Sequence, residues 1–283
     1  MAEGNLEEAK DLVRKNRFEP VFAELAEIIR GVEPDVVCEH CGKSLRSEWV
    51  DYMLKWVPEK CIPCEEEIKS ALFTRTLSAY FEEVSGNIET LLIHSGVPKR
   101  FLGAKLSDFK ANIKFDLDSG DGFYITGPRG TGKTHMAVGL LRHYLLHKKP
   151  EIVIPDEPVA GIPPAIIGES NSKFIPVTEL LLRIRTTFNE RNGSESEMDI
   201  ISEYSGCPVL VLDDLGVEKT SEWSMQTLYT LVDRRYRDEM KTIITSNMTL
   251  DELAERVDDR IASRIAGMCK VQVLKGKDRR LSR

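Results

Sequence analysis

Apolar positions along the chain change their period twice. Val21, Phe22, Leu25, Ile28 and Ile29 recur at helical spacing inside a stretch from Leu6 to Arg30. Ile68, Leu72 and Leu77 repeat that spacing between Glu65 and Val84. Ser85-Gly86-Asn87 then breaks the pattern and Gly96-Val97-Pro98 marks a turn, which predicts a domain boundary within residues 85–100. From residue 120 onward, short β-rich runs alternate with helical ones. The predicted strands are Gly122–Thr126, Lys173–Val177, Pro208–Leu212, Thr242–Thr245 and Lys270–Leu274; the predicted helices include His135–His147, Thr178–Phe188 and Met225–Arg237. Such alternation predicts an α/β domain with a mainly parallel sheet flanked by helices. The segment Lys148–Ser172 fits neither period. Its five prolines and two glycines in 25 residues predict a surface loop insertion without regular structure. The expected organisation is a small helical domain over residues 1–90 and an α/β domain over 91–283, with 148–172 as the insertion.

Composition narrows the classes. At 283 residues and 41% hydrophobic, the chain is long and apolar enough for two folded domains, which excludes disorder throughout. No stretch reaches the ~18 apolar residues of a membrane helix, and the opening MAEGNLEEAKDLVRKN lacks a signal peptide's apolar run, so a cytoplasmic location is expected. The net charge of −7 is an average over unlike parts. Met1–Ser95 holds 19 acidic and 11 basic residues, whereas Arg256–Arg283 holds three acidic and nine basic. An acidic front end suits a protein partner, and a basic tail keeps nucleic-acid binding open.

The candidate chemistry starts at Gly127-Pro128-Arg129-Gly130-Thr131-Gly132-Lys133-Thr134, followed by His135. This run matches the phosphate-binding pattern G-x-x-x-x-G-K-[ST] in full, directly after a predicted strand and opening a predicted helix. Its glycines let successive backbone N–H groups turn inward toward phosphate oxygens, and the helix adds its positive N-terminal end. Lys133 is expected at the β- and γ-phosphates and Thr134 at Mg²⁺. The complement is an acid at the end of a buried strand, and Val209-Leu-Val-Leu-Asp213-Asp214 has that form. Asp213 is expected to hold Mg²⁺, and Asp214 to orient or deprotonate the attacking water.

The order GPRGTGKT, VLVLDDLG, Thr245-Ser-Asn247 and Asp259-Arg-Ile-Ala-Ser-Arg-Ile265 resembles the AAA+ ATPases. More narrowly, it is similar to replicative helicase loaders of the DnaC/DnaI type, over roughly residues 95–283. The resemblance implies an AAA+ P-loop fold without a helical lid, hydrolysis of ATP with Mg²⁺, and Asn247 as the sensor residue at the γ-phosphate. It implies an arginine finger at Arg264, with Arg260 as the other candidate, and hence head-to-tail self-association into a spiral or ring. Arg279 and Arg280 are candidates for a second sensor. It also implies the hexameric replicative helicase and single-stranded DNA as partners, with Arg183, Arg185 and Arg191 in the region that faces DNA. Asp214 stands where many such enzymes carry Glu; one methylene less shortens its reach and implies slow hydrolysis. Two other readings stay open: a transposition helper ATPase of the IstB type, and a weakly hydrolysing helicase adaptor or inhibitor.

Cys38-Glu-His-Cys41 and Cys61-Ile-Pro-Cys64 form a C-x2-C-x19-C-x2-C quartet, a spacing that predicts a four-thiolate Zn²⁺ site in the first domain. Zinc there would stabilise a domain too small to bury enough surface by itself. In the helicase-loader reading that domain docks on the helicase. Trp49, Tyr52 and Trp56 fall between the pairs. Cys207 and Cys269 stand beside apolar runs and are expected in the core.

Overall fold

The computed structural model describes residues 38–43, 62–109, 113, 115–154, 165–167, 171–188, 195–217, 221–276 and 278. In chain order its elements are α1 (Ile62–His94), β1 (Gly122–Thr126), α2 (Lys133–His147), β2 (Glu151–Val153), β3 (Ala165–Ile167), β4 (Lys173–Pro176) and α3 (Val177–Thr187). They continue with α4 (Glu197–Ser205), β5 (Val209–Leu215), α5 (Glu222–Arg237), β6 (Lys241–Ser246), α6 (Leu250–Arg256), α7 (Asp259–Met268) and β7 (Cys269–Val273). The chain divides into two units, one of residues 1–76 with 154–164 and one of residues 77–153 with 165–283. The predicted helix between Leu6 and Arg30 lies outside the described residues, as do Trp49, Tyr52 and Trp56.

In the larger unit, five strands form one sheet in the order β4-β5-β6-β1-β7, every neighbouring pair parallel. All five predicted strands are present, as is the expected parallel sheet flanked by helices. Because successive strand residues face opposite sides, the continuous apolar run of β5 supplies two cores. Leu210 and Leu212 pack with Tyr124, Ile175 and Ile244 beneath helices α3 to α7. Val209 and Val211 pack with Phe123, Ile125, Phe174 and Ile243 beneath α2 and the end of α1. Cys207 and Cys269 are buried as expected, and burial pushes the Cys269 thiol up to about 12.

Two expectations are corrected. The predicted break at Ser85-Gly86-Asn87 is absent, because α1 runs through it from Ile62 to His94. An exposed glycine inside a helix costs only about 1 kcal/mol, and Val84, Ile88 and Leu92, buried on one face four residues apart, outweigh it. The insertion 148–172 is not wholly irregular, since β2 and β3 pair antiparallel with Ile152 opposite Ile166. Both strands are free of proline, and the prolines between them do not interrupt the pairing. Helix α4 is an addition that the apolar spacing did not signal; its start is fixed by a capping box in which Ser196 and Asp199 bond each other's backbone N–H.

One buried cation ties three elements together. Arg235 on α5 is 0% exposed. Its Nη1 donates to the carbonyls of Tyr204, Ser205 and Cys207 at 3.0, 2.9 and 2.8 Å, its Nη2 to Lys241 O at 2.6 Å, and its Nε to Thr242 Oγ1 at 2.9 Å. It thereby caps the carbonyl end of α4, where a cation is favoured, and joins it to the start of β6. Removing one member of such a buried charged network strands the other polar groups. Arg235→Met is expected to cost about 3–5 kcal/mol in denaturant unfolding, with Arg235→Lys recovering only part because one ammonium cannot span the fork.

Candidate nucleotide site and cysteine cluster

The phosphate loop follows β1 and α2 begins at Lys133. Gly130 and Gly132 have φ of 75° and 98°, the left-handed region that a side chain disfavours. A Cβ at Gly130 would also meet the Asp278 carboxylate, the movable end of a side chain, so the backbone conformation is the stronger reason for glycine there. Thr131 Oγ1 donates to Pro128 O at 2.9 Å and braces the loop from inside.

Lys133 is buried, and its Nζ donates to Gly127 O and Pro128 O, each at 3.0 Å, and to Asn247 Oδ1 at 2.7 Å. Thr134 Oγ1 donates to Asp213 Oδ1 and Oδ2 at 2.9 and 3.1 Å. Thr245 Oγ1 donates to Asp213 Oδ1 at 2.7 Å and accepts from Asp214 N at 2.9 Å. Burial, followed by the charge of Asp214 among the raising influences, holds the Asp213 carboxyl above its ordinary value. The next residue points the other way. Asp214 is exposed with φ 57°, at an irregularity in the pairing of β5 with β6, so its side chain faces the cleft. A hydroxyl and a carboxylate side by side are hard oxygen donors of the kind Mg²⁺ takes, so Thr134 and Asp213 fit that ion.

The cleft has a volume of about 490 Å³. Arg129, Gly130, Gly132, Lys133, Thr134 and His135 line one wall, and Asp214, Val217 and Asn247 line another. Arg100 and Phe101, which the motifs did not signal, close a third side. His135 Nε2 lies 2.6 Å from Asp108 Oδ2, and that hydrogen bond holds the Asp108 carboxyl below the usual range. Thr245 belongs to the quoted Thr245-Ser-Asn247 run, but its bond to Asp213 is not signalled by the motifs, nor are the bonds of Tyr124 and Thr126 to Met248 O beside Asn247; the strand order reveals them.

Of the candidate finger and DNA-facing arginines, the four that are described, Arg264, Arg260, Arg183 and Arg185, do not line the cleft. Arg264 on α7 donates from Nε to Asp233 Oδ1 at 3.0 Å and from Nη2 to Tyr229 Oη at 3.3 Å, with Tyr236 beside it. Arg260 pairs with Asp258 at 2.9 Å, lies over the Tyr229 ring and is the more exposed, at 62% against 32%. Arg183 is held by Glu195 and Glu203 at 2.7 and 2.9 Å and by Tyr204 Oη, whereas Arg185 is exposed. Arg191, Arg279 and Arg280 lie outside the described residues.

In the smaller unit, Cys38 and Cys41 flank a tight turn in which Gly42 N donates to Cys38 O and Cys38 N to Lys43 O, each at 2.8 Å. Gly42 supplies its φ of 70°. The sulfurs of Cys38, Cys41 and Cys64 lie within 4.8 Å of one another, a soft-ligand set that fits a zinc-binding domain. Cys64 stands in the first turn of α1 beside Pro63, a residue suited to a helix start. Cys61 lies outside the described residues.

No protein-family model matches the chain. It is 24% identical over 143 residues to the replicative helicase loader DnaC of Escherichia coli K12, covering 50% of this chain and 49% of that protein. It is 23% identical over 172 residues to DnaC of Buchnera aphidicola subsp. Baizongia pistaciae, covering 61% and 59%. The chain is similar to DnaC-type helicase loaders. It spans about half the length of the first curated relatives it matches. A solved DnaC helicase loader covers 63% of this chain at 25% identity, with a TM-score of 0.47. With the phosphate loop after β1, the acid pair ending β5 and one strand between them, the larger unit has the AAA+ P-loop fold. No helix among the described residues is long and apolar enough to cross a membrane.

Because the folded site raises its pKa, Asp213 adds stability at low pH that is lost as pH rises through the raised value. At neutral pH its buried charge is a burden. Asp213→Asn is expected to raise the melting temperature of nucleotide-free protein at pH 7.5, and the gain should shrink as pH falls into the carboxylate range.

Proposed function

We propose that this protein is an ATP-dependent loader of a replicative DNA helicase, cytoplasmic, with a zinc-stabilised N-terminal domain over residues 1–90 and an ATPase domain over 91–283. The observation that carries the ATPase part is the pair of contacts Lys133–Asn247 and Thr134–Asp213, of which Lys133, Thr134 and Asn247 line one cleft. They bring together the side chains to which this reading gives phosphate binding (Lys133), γ-phosphate sensing (Asn247) and Mg²⁺ (Thr134 and Asp213). The similarity to DnaC carries the choice of partner.

In this reading the loop from Gly127 to His135 wraps ATP and Lys133 neutralises charge on its β- and γ-phosphates. Thr134 and Asp213 would hold Mg²⁺, which would supply positive charge against the phosphates. Asp214 orients or deprotonates the attacking water from the exposed side, and Asn247 fixes the terminal phosphate. The shorter reach of Asp214 compared with Glu makes hydrolysis slow. Arg264 completes the site of a neighbouring copy, so ATP-bound copies associate head to tail; its bonds to Asp233 and Tyr229 must then open. Arg260, more exposed, is the alternative for that task. Single-stranded DNA meets the face that carries Arg185. Arg183 contributes there only if it leaves Glu195 and Glu203.

Cys38, Cys41 and Cys64, with Cys61 as the fourth thiolate, hold Zn²⁺, and the domain they stabilise docks on the helicase. Elemental analysis of purified full-length protein is expected to find stoichiometric zinc, and Cys64→Ser to release it with loss of protease resistance in residues 1–76. Zinc-free wild-type protein would exclude the metal site.

Full-length protein is also expected to retain the hexameric helicase of its host in a pull-down with ATP, and a form lacking residues 1–61, with α1 left whole, to lose it. Retention of a transposase instead would overturn the loader reading in favour of a transposition helper.

A further inference from the structure

Two hydroxyls on β1 converge on one carbonyl just past Asn247. Tyr124 Oη donates to Met248 O at 2.9 Å, and Thr126 Oγ1 donates to the same atom at 2.6 Å. The two residues are two apart on one strand and so face the same side. Both are buried, at 0% and 3% exposure, and neither lines the cleft. A carbonyl oxygen has two lone pairs, and the two hydroxyls fill both.

The other end of the same short segment is held as well. Met248 N donates to Ser246 Oγ at 3.1 Å, and Ser246 Oγ donates to Leu215 O at 2.7 Å. Asn247 lies between these anchors, one residue beyond the end of β6, where the ladder to β1 has stopped at Ser246. Its backbone is therefore held by two side-chain hydroxyls from β1 and by Ser246, whose hydroxyl bridges Met248 N to a β5 carbonyl, and its Oδ1 meets Lys133 Nζ at 2.7 Å. Phe and Val would fill the volumes of Tyr124 and Thr126 equally well. What the hydroxyls add is a fixed address for Met248 O.

We propose that Tyr124 and Thr126 are positioning residues for ATP hydrolysis, clamping Met248 so that the Asn247 amide is held at the terminal phosphate. The proposal rests on the ATPase reading given above and extends it to residues that touch no nucleotide. A polar group aids a transition state only where it is already in place, and a misplacement of about 1 Å can cost as much as a hundred-fold in rate. The clamp is doubled, so either hydroxyl partly covers for loss of the other. Removal of both leaves the segment held only through Ser246.

The test uses full-length Tyr124→Phe, Thr126→Val, Thr126→Ser, the Phe/Val double variant and Asn247→Ala. Steady-state kcat and KM for ATP are measured, together with equilibrium affinities for ATP and ADP. The double variant is expected to lose about ten-fold or more in kcat, and its preference for ATP over ADP should fall to that of Asn247→Ala. Its ADP affinity should stay within about two-fold, because the phosphate loop is untouched. Each single variant should lose less than the double, and Thr126→Ser should keep wild-type behaviour because it keeps the hydroxyl. Adding Asn247→Ala to the double should cost nothing further.

A double variant with wild-type kcat and ATP preference overturns the clamp, as does one whose losses fall equally on ADP affinity. If the double variant does not fold, Tyr124→Phe and Thr126→Val decide the matter, and wild-type kcat and ATP preference in both overturns it. Failure of the underlying reading looks different: wild-type protein that binds no ATP removes the ATPase assignment itself, and the clamp with it.

Discussion

Strand β6 lies between the strand that carries the phosphate loop and the strand that carries the acid pair, and the site depends on that placement. Neighbouring strands are about 4.8 Å apart, so β1 and β5 stand about two such spacings apart. Thr134, at the start of α2, reaches Asp213 directly, and residues at the end of β6 fill the rest of the gap. Thr245 reaches Asp213 on one side, and Asn247 reaches Lys133 on the other. In an open parallel sheet the ligand crevice forms beyond the carboxyl ends of the strands, and here that crevice is built from three strand ends at once.

The opposite end of β6 is anchored just as firmly. Lys241, its first residue, is buried and donates to the carbonyls of Asp116, Ser119 and Asp121 while lying 4.9 Å from the centre of the Phe115 ring. Burial lowers its pKa, so its charge is held at some cost. Arg235 binds Lys241 O and Thr242 Oγ1 from the other side. Two buried cations with carbonyl partners thus seat the strand, while buried hydroxyls and a carboxylate finish it. At the carboxyl end burial likewise disfavours the charge of Asp213, and the hydroxyls of Thr134 and Thr245 offset part of that cost.

Legibility followed the range over which each signal acts. The five strands and α2, α3 and α5 were readable because burial on both faces writes continuous apolar runs and amphipathic helices write a 3.6-residue period. Apolar spacing alone marked α2 from His135, whereas the motif's chemistry put its start near Lys133, where it opens after a capping glycine in the left-handed region. Gly86 misled because local propensity is weak beside the packing of Val84, Ile88 and Leu92. The prolines of 148–172 misled in the same way, since they spare the two short segments that pair.

The sequence by itself determined the phosphate loop, the acid pair and the cysteine spacing, because each is a contiguous run whose chemistry depends on residues a few positions apart. Only the tertiary structure decided which distant groups complete them. Tyr124 and Thr126 look like ordinary strand residues, and the partner of Thr245 is not visible, until β6 is laid beside β1 and β5. Arg183 looks like a free surface cation until α4 brings Glu203 and Tyr204 against it, together with the nearby Glu195. Contacts between residues 12 to 124 positions apart leave no period or spacing in the chain. They exist because folding brings strand ends together, and a buried polar group there must take whatever partner the sheet order supplies.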